Sequence, residues 1–125
     1  MLRTLLILGR ISNLPTVWTN VLVGWFLCGG NWSMALLMVI SAVSLLYIAG
    51  MTLNDAFDAA WDREHAPERP IPAGDISRKA VAILGICQLL AGYGLIAVFD
   101  QGLIWGGALV LSILAYNWLH KRFAA

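Results

Sequence analysis

The sequence predicts an all-α fold, a polytopic transmembrane helix bundle of four spans with both termini cytoplasmic, and three observations predict it. Mean hydropathy is +0.78, and only 12% of the residues are charged, against roughly a quarter in soluble proteins. Four apolar stretches, Leu14 to Gly30, Met34 to Leu53, Ala80 to Phe99 and Leu103 to Leu119, contain no Asp, Glu, Lys or Arg. Each has about the 17–25 residues that a helix needs to cross a hydrocarbon core. Finally, every Lys and Arg falls at an end that an even number of crossings places on one side. Arg3 and Arg10 precede the first span, Arg63, Arg69, Arg78 and Lys79 separate the second from the third, and Lys121 and Arg122 follow the fourth. The loops "GGNWSM" and "FDQG" have none, so the basic side is cytoplasmic. A multi-pass protein of the inner (plasma) membrane, in contact with lipid, is the expectation.

The first span opens at "SNLPT", with Ser12 or Asn13 as cap and Pro15 in the first turn. Arg10 interrupts the apolar run that precedes it, so a cleaved signal peptide is not expected. Cys28 and Cys87 sit inside spans without metal-ligand spacing and are expected to be small core residues. The glycines of "GWFLCGG" and "WGGALVLS" would let helices approach closely. A net charge of +1 is accounted for by topology, and no nucleic-acid partner is expected.

The second span has no stop signal at Leu53. The first helix breaker beyond it is Pro67, which disfavours helix at Ala66, so the helix should run on through Asp62. It runs into a segment, residues 51–79, that holds six of the seven acidic residues and four of the eight basic ones. Within "NDAFDAAWD", Asn54, Asp58 and Asp62 recur every fourth residue and drift by only about 40° each, with Asp55 on the same arc. Carboxylates spaced this way repel, costing an isolated helix about 0.2–0.5 kcal/mol per pair. A hard divalent cation would offset that cost, since Mg²⁺ is held by one or two carboxylates together with substrate phosphates and water. A mixed-charge solvated loop is the plainer reading. The arc favours metal binding because it continues into the membrane through Met51, Tyr47 and Ser44, and polar residues at that depth face the bundle interior.

In "ERPIPAG", Pro70 and Pro72 predict an extended segment, Gly74 a sharp turn, and Asp75 or Ser77 the cap of the third span. Arg69 on this stiffened loop suits a phosphate oxygen pair, or equally a salt bridge to Glu68 or Asp62 or an anchor at the membrane surface. Tyr116, Trp118, Lys121 and Arg122 have the composition of an ordinary aromatic and basic span end. His65 and His120 read as surface residues.

Taken together, these motifs resemble the UbiA-type intramembrane prenyltransferases. "NDAFDAAWD" at 54–62 is similar to that family's first aspartate-rich motif, N-D-x-x-D-x-x-x-D, and "RPIPAG" at 69–74 to its R-P-[IL]-P-[SA]-G continuation. "RISNLPTVWTNVLVG" at 10–24 resembles its first-helix opening. "YNWLHKR" at 116–122 resembles the Tyr-to-Lys-Arg element closing its fourth helix, with Lys121 one residue further from Tyr116 than in the family pattern. The resemblance implies Mg²⁺ held by Asn54, Asp58 and Asp62 with Asp55 in support, Asp58 and Asp62 being the catalytic pair. It also implies a prenyl diphosphate held by Arg69, Tyr116 and Lys121, and an acceptor that is often aromatic. The family's second aspartate-rich motif has no counterpart in the 125 residues. The resemblance therefore implies the N-terminal half of a prenyltransferase domain, inactive alone and completed by a missing C-terminal half or a complementing chain. The alternative expectation is a non-catalytic membrane binding or assembly module that keeps the half-fold.

Overall fold

The computed structural model describes residues 1–124, with the side chains of residues 121, 123 and 124 left aside. Five α-helices follow one another: α1 (Leu2–Leu8), α2 (Leu14–Leu27), α3 (Met34–His65), α4 (Arg78–Ile96) and α5 (Gly102–Ala124), with a 3-10 turn, Ile11–Asn13, between the first two. Among the described residues there is no strand.

Three helices, α3, α4 and α5, are long and apolar enough to cross a membrane. The expected first span is shorter than its apolar run. α2 has 14 residues, about 21 Å of helix against a hydrocarbon core of about 30 Å. It stops because Gly29 takes a positive φ of 81°, the left-handed exit that ends many helices. Asn13 stands at the start of α2, without a capping hydrogen bond from its side chain, and Pro15 lies in the first turn. The third expected span begins two residues early, at Arg78, and ends three early, at Ile96.

α3 is the axis of the molecule. Ser33 caps it by accepting from the Leu36 N–H at 3.3 Å, and it continues twelve residues past Leu53 to His65. It closes at Ala66, which leaves the helical region at φ −147° and ψ 62°, since the helical conformation is disfavoured before Pro67. Ser77, not Asp75, caps α4, accepting from the Ala80 N–H at 3.1 Å.

α4 packs along α3 through a dry seam of Leu46, Ala49, Leu53 and Leu89. Gly85 and Gly92 admit it. A Cβ at Gly85 would stand 2.7 Å from Leu53 Cγ, and one at Gly92 would stand 2.9 Å from Leu46 Cγ. The glycines expected to serve this purpose do so only in part. Gly24 and Gly29 have nothing near them, whereas Gly106 of "WGGALVLS" meets Ile96 and Tyr93. Both thiols are exposed, which corrects their assignment to the core. As small apolar groups on outward faces of the bundle, they fit a lipid-facing surface equally well.

A second cluster, Leu8, Ala56 and Val81 with Ile71, Ile76 and Ala82, folds α1 and the α3–α4 loop over the last turns of α3. α2 is tied lower down, where Trp18 Nε1 donates to Ser44 Oγ at 2.8 Å.

Candidate functional site

The last three turns of α3 carry the acidic arc, and the loop beyond them supplies its first cation. After Ala66 the chain does not extend, as its two prolines predict, but coils. Arg69 N–H donates to the Ala66 carbonyl at 3.1 Å, Ala73 N–H to that of Arg69 at 2.9 Å, and Asp75 N–H to that of Pro70 at 2.9 Å. A proline's fixed φ suits the second position of a turn as well as an extended strand, and Gly74, at φ 84°, reverses the chain toward Ser77. The coil brings the Arg69 guanidinium back onto α3. Its Nη1 donates to Asp62 Oδ2 at 3.0 Å and stands 3.6 Å from Asp55 Oδ1. Of the roles left open for Arg69, the salt bridge to Asp62 is the one formed.

Asp55 and Asp62 lie seven residues apart, nearly superposed along the helix axis, and one guanidinium serves both. Asp62 is 1% exposed and Asp55 6%. Asn54 Nδ2 donates to Asp58 Oδ2 at 2.8 Å, and both residues are half-buried. The four expected ligands thus fall into two pairs, one bound by an amide and the other by Arg69.

A second cation comes from a residue read in the sequence only as a topological charge. Arg10 Nη2 lies 4.0 Å from Asp55 Oδ1. Arg10 occupies the left-handed region, φ 46° and ψ 48°, a conformation costing a non-glycine residue on the order of 1 kcal/mol. The 3-10 turn starts there, Asn13 N–H donating to the Arg10 carbonyl at 3.0 Å, and the kink carries α1 across α3. The same region is braced by Arg78, whose Nε donates to the Ala56 carbonyl at 2.8 Å. Nothing local in the sequence marks either contact, since both join segments far apart in the chain.

Burial pushes the Asp55 carboxyl up to about 6, with Arg69 and then Arg10 pulling it down and Asp62 and Asp58 adding to the rise. Two arginines do not fully offset the desolvation. Asp55 Oδ1 and Asp62 Oδ1 are buried and accept no hydrogen bond. Hard oxygen atoms with unused capacity at a helix face suit Mg²⁺. No group of three or more His, Cys, Asp or Glu among the described residues converges as a ready-made metal site. The unused oxygens belong to Asp55 and Asp62, the pair that Arg69 holds.

Beside the arc, α2, α3 and α5 enclose a cavity of about 350 Å³, lined by Val17, Leu46, Tyr47, Leu109 and Ile113 among others. Gly50 and Met51, one turn before Asn54 and Asp55, form part of its wall, and so do Tyr116 and Asn117 of α5. Tyr116 is exposed and stacks on His120, ring centroids 5.2 Å apart. The side chain of Lys121 lies outside the described residues. His65 is on the surface, as expected, stacked on Trp61 at 3.9 Å.

The model of the UbiA prenyltransferase family matches residues 12–125. Among similar proteins, a digeranylgeranylglyceryl phosphate synthase of Methanoregula boonei is 33% identical over 84% of this chain and 37% of its own length. A 4-hydroxybenzoate octaprenyltransferase of Serratia proteamaculans is 30% identical over 88% of this chain and 38% of its own. A second digeranylgeranylglyceryl phosphate synthase, from Methanothrix thermoacetophila, is 42% identical over 62% of this chain and 27% of its own. The chain thus spans between 27% and 38% of the length of these three relatives. No solved structure matches.

Proposed function

The chain belongs to the UbiA prenyltransferase family, and from that premise we propose that it provides the diphosphate-binding end of a Mg²⁺-dependent site that transfers a prenyl group to an acceptor within the membrane. The relative from Serratia proteamaculans is a prenyltransferase by name, and three helices of the chain are of membrane-spanning character. The observation that carries the reading is the acidic arc of Asn54, Asp55, Asp58 and Asp62. Asp55 and Asp62 are buried, each keeps an oxygen without a hydrogen bond, and the arc lies one turn from an apolar cavity.

Asn54, Asp58 and Asp62, with Asp55 in support, would hold Mg²⁺, whose charge would stabilise the diphosphate oxygens as they take up the leaving electron pair. Arg69 and Lys121, with Tyr116, would bind the same oxygens. Arg69 is engaged by Asp55 and Asp62, so a diphosphate would draw on a cation already held in place. The bond from the prenyl C1 to the diphosphate oxygen breaks, and the diphosphate leaves with the electron pair. The allylic carbon then bonds to a nucleophilic atom of the acceptor, which gives up its proton. Walls such as Leu46, Leu109 and Ile113 would keep water from the cation.

A second set of carboxylates would come from the part of the relatives that this chain does not span, in the same polypeptide or in a complementing one. The test is Mg²⁺-dependent transfer of a labelled prenyl group in membranes where the chain is extended or co-expressed with that remaining portion. Asp58→Asn and Asp62→Asn should each lower turnover by about 10²-fold or more, as loss of a preorganised electrostatic group does. Unchanged turnover in both variants overturns the proposal and leaves the assembly module.

A further inference from the structure

Asn117 is 2% exposed, on a helix whose neighbouring residues Tyr116, Trp118 and Leu119 are all exposed. A buried amide at membrane depth is costly unless it has a partner. Its Nδ2 donates to the Gly50 carbonyl oxygen at 3.3 Å, across 67 residues of sequence. That carbonyl is four residues before Asn54, and in an α-helix it is also the acceptor for the Asn54 backbone N–H. Asn117 therefore grips the turn of α3 that carries the first residue of the acidic arc.

The helices meet closely at this level. Gly50 is buried, and a Cβ there would stand 3.3 Å from Ile113 Cγ2, one turn before Asn117. Gly50, Ile113, Tyr116 and Asn117 all line the cavity. The other tethers hold other elements, Trp18 to Ser44 for α2 and Arg78 to Ala56 for the start of α4. Asn117 ties α3 to α5 by a side-chain hydrogen bond.

We propose that Asn117 is a positioning residue, setting the height and rotation of α5 on α3 through the Gly50 carbonyl so that Tyr116 keeps its place in the cavity wall beside Gly50 and Met51, one turn before the acidic arc. The register is a property of the chain itself. Its consequence for diphosphate binding rests on the function proposed above.

Spin labels test the register in the chain reconstituted in lipid nanodiscs with both native cysteines replaced by alanine. One pair joins Leu37 of α3 to Leu111 of α5, and a control pair joins Leu37 to Ile83 of α4, all three positions being exposed. Asn117→Leu, similar in size but without a donor, should broaden the α3–α5 distance distribution and move its centre by about 1.5 Å or more, the rise of one residue. The α3–α4 distance should stay unchanged, showing that the bundle is still folded. Asn117→Gln, which retains a donor amide, should restore the narrow distribution. An unchanged α3–α5 distance in Asn117→Leu overturns the proposal, and so does a failure of Asn117→Gln to do better than Asn117→Leu. If Asn117→Leu perturbs α3–α4 as well, Asn117→Asp serves in its place, read by the same two distances. Binding of geranyl diphosphate with Mg²⁺, measured on the same samples, should weaken in step with the α3–α5 shift. If the unsubstituted chain binds none without the portion that completes the site, the distances alone decide the register, and the transfer assay described above decides the proposed function.

Discussion

The two ends of α3 are packed by opposite means. Along its membrane-spanning length it meets α4 through leucines seated over glycines, Leu46 on Gly92 and Leu53 on Gly85, and the four residues of the seam core are apolar. Beyond Leu53 the same helix buries Asp55 and Asp62 under a loop, two arginines and α1, and leaves an oxygen of each carboxylate without a hydrogen bond. In the first region the seam itself is built of apolar contacts, and Gln88 Oε1 of α4 is a buried polar atom left without a hydrogen bond there. In the second the chain has spent backbone strain at Arg10 and desolvation at Asp55 on groups it does not satisfy. Incomplete satisfaction of this kind marks where binding is expected, because native proteins otherwise avoid it.

The sharpest way to break the comparison is at the seam. Gly85→Leu would drive a side chain into Leu53 Cγ and Cδ2, at 2.7 and 2.8 Å from the new Cβ, and toward the Leu53 backbone nitrogen at 3.4 Å. Because backbone is involved, the neighbour has little room to yield. Unfolding in detergent should show a loss of about 3 kcal/mol, the upper end of the overpacking range. Gly94→Leu on the same helix meets nothing within 4 Å and should leave the midpoint unchanged or raised, since leucine is the better helix former. Equal effects at the two sites would mean that the seam is not close-packed.

The contrast between these regions was legible only where the signal is local. The crowding of charge after the second apolar run, the helix through Asp62, its end before Pro67 and the Ser77 cap all follow from neighbours in sequence. Arg69 could be placed near Asp62 because only seven residues separate them. Arg10 could not be paired with Asp55, nor Arg78 with Ala56, because those contacts depend on how α1 and α4 cross α3. The same blindness affected the glycines. "GWFLCGG" drew notice for its density, but its Gly29 ends a helix, while isolated Gly85 and Gly92 sit on the one face of α4 that touches α3. The length of α2 was misjudged for a related reason. Its apolar run continues through Cys28 to Gly30, and hydropathy does not register a helix exit made of apolar and neutral residues. Asn117 passed unnoticed inside an ordinary span end, where only an interhelical partner gives an amide meaning.

At the charged end, removing the cation should cost less than overpacking the seam. Arg69→Ala leaves the buried Asp62 carboxylate without its hydrogen-bond donor, a penalty on the order of 1–2 kcal/mol. The lower part of the known range applies because the Arg69 side chain is 35% exposed, so water can replace some of what is lost. Asp62→Asn in the same chain should recover most of the loss, since the stranded charge is then gone too. A double variant no better than Arg69→Ala would show that Arg69 acts through the folding of its loop instead.

The finest test concerns protons. In Mg²⁺-free buffer the Asp55 carboxyl titrates near 6 in the folded chain, against 3.8 without its surroundings, so the folded state holds that proton more tightly than the unfolded one. Its contribution to stability is therefore complete below about pH 4 and fades as pH rises through about 6. Asp55→Asn removes this titration. Relative to the parent chain the variant should gain stability between about pH 4 and 7, with the gain levelling off above the folded value. All other groups are common to the two proteins, so the difference between the two melting curves isolates Asp55. A difference that stays flat, or moves the other way, would mean that Arg69 at 3.6 Å and Arg10 at 4.0 Å outweigh burial. The acidic arc would then be satisfied by the chain's own cations, and the unused capacity that points to a bound metal ion would no longer be there.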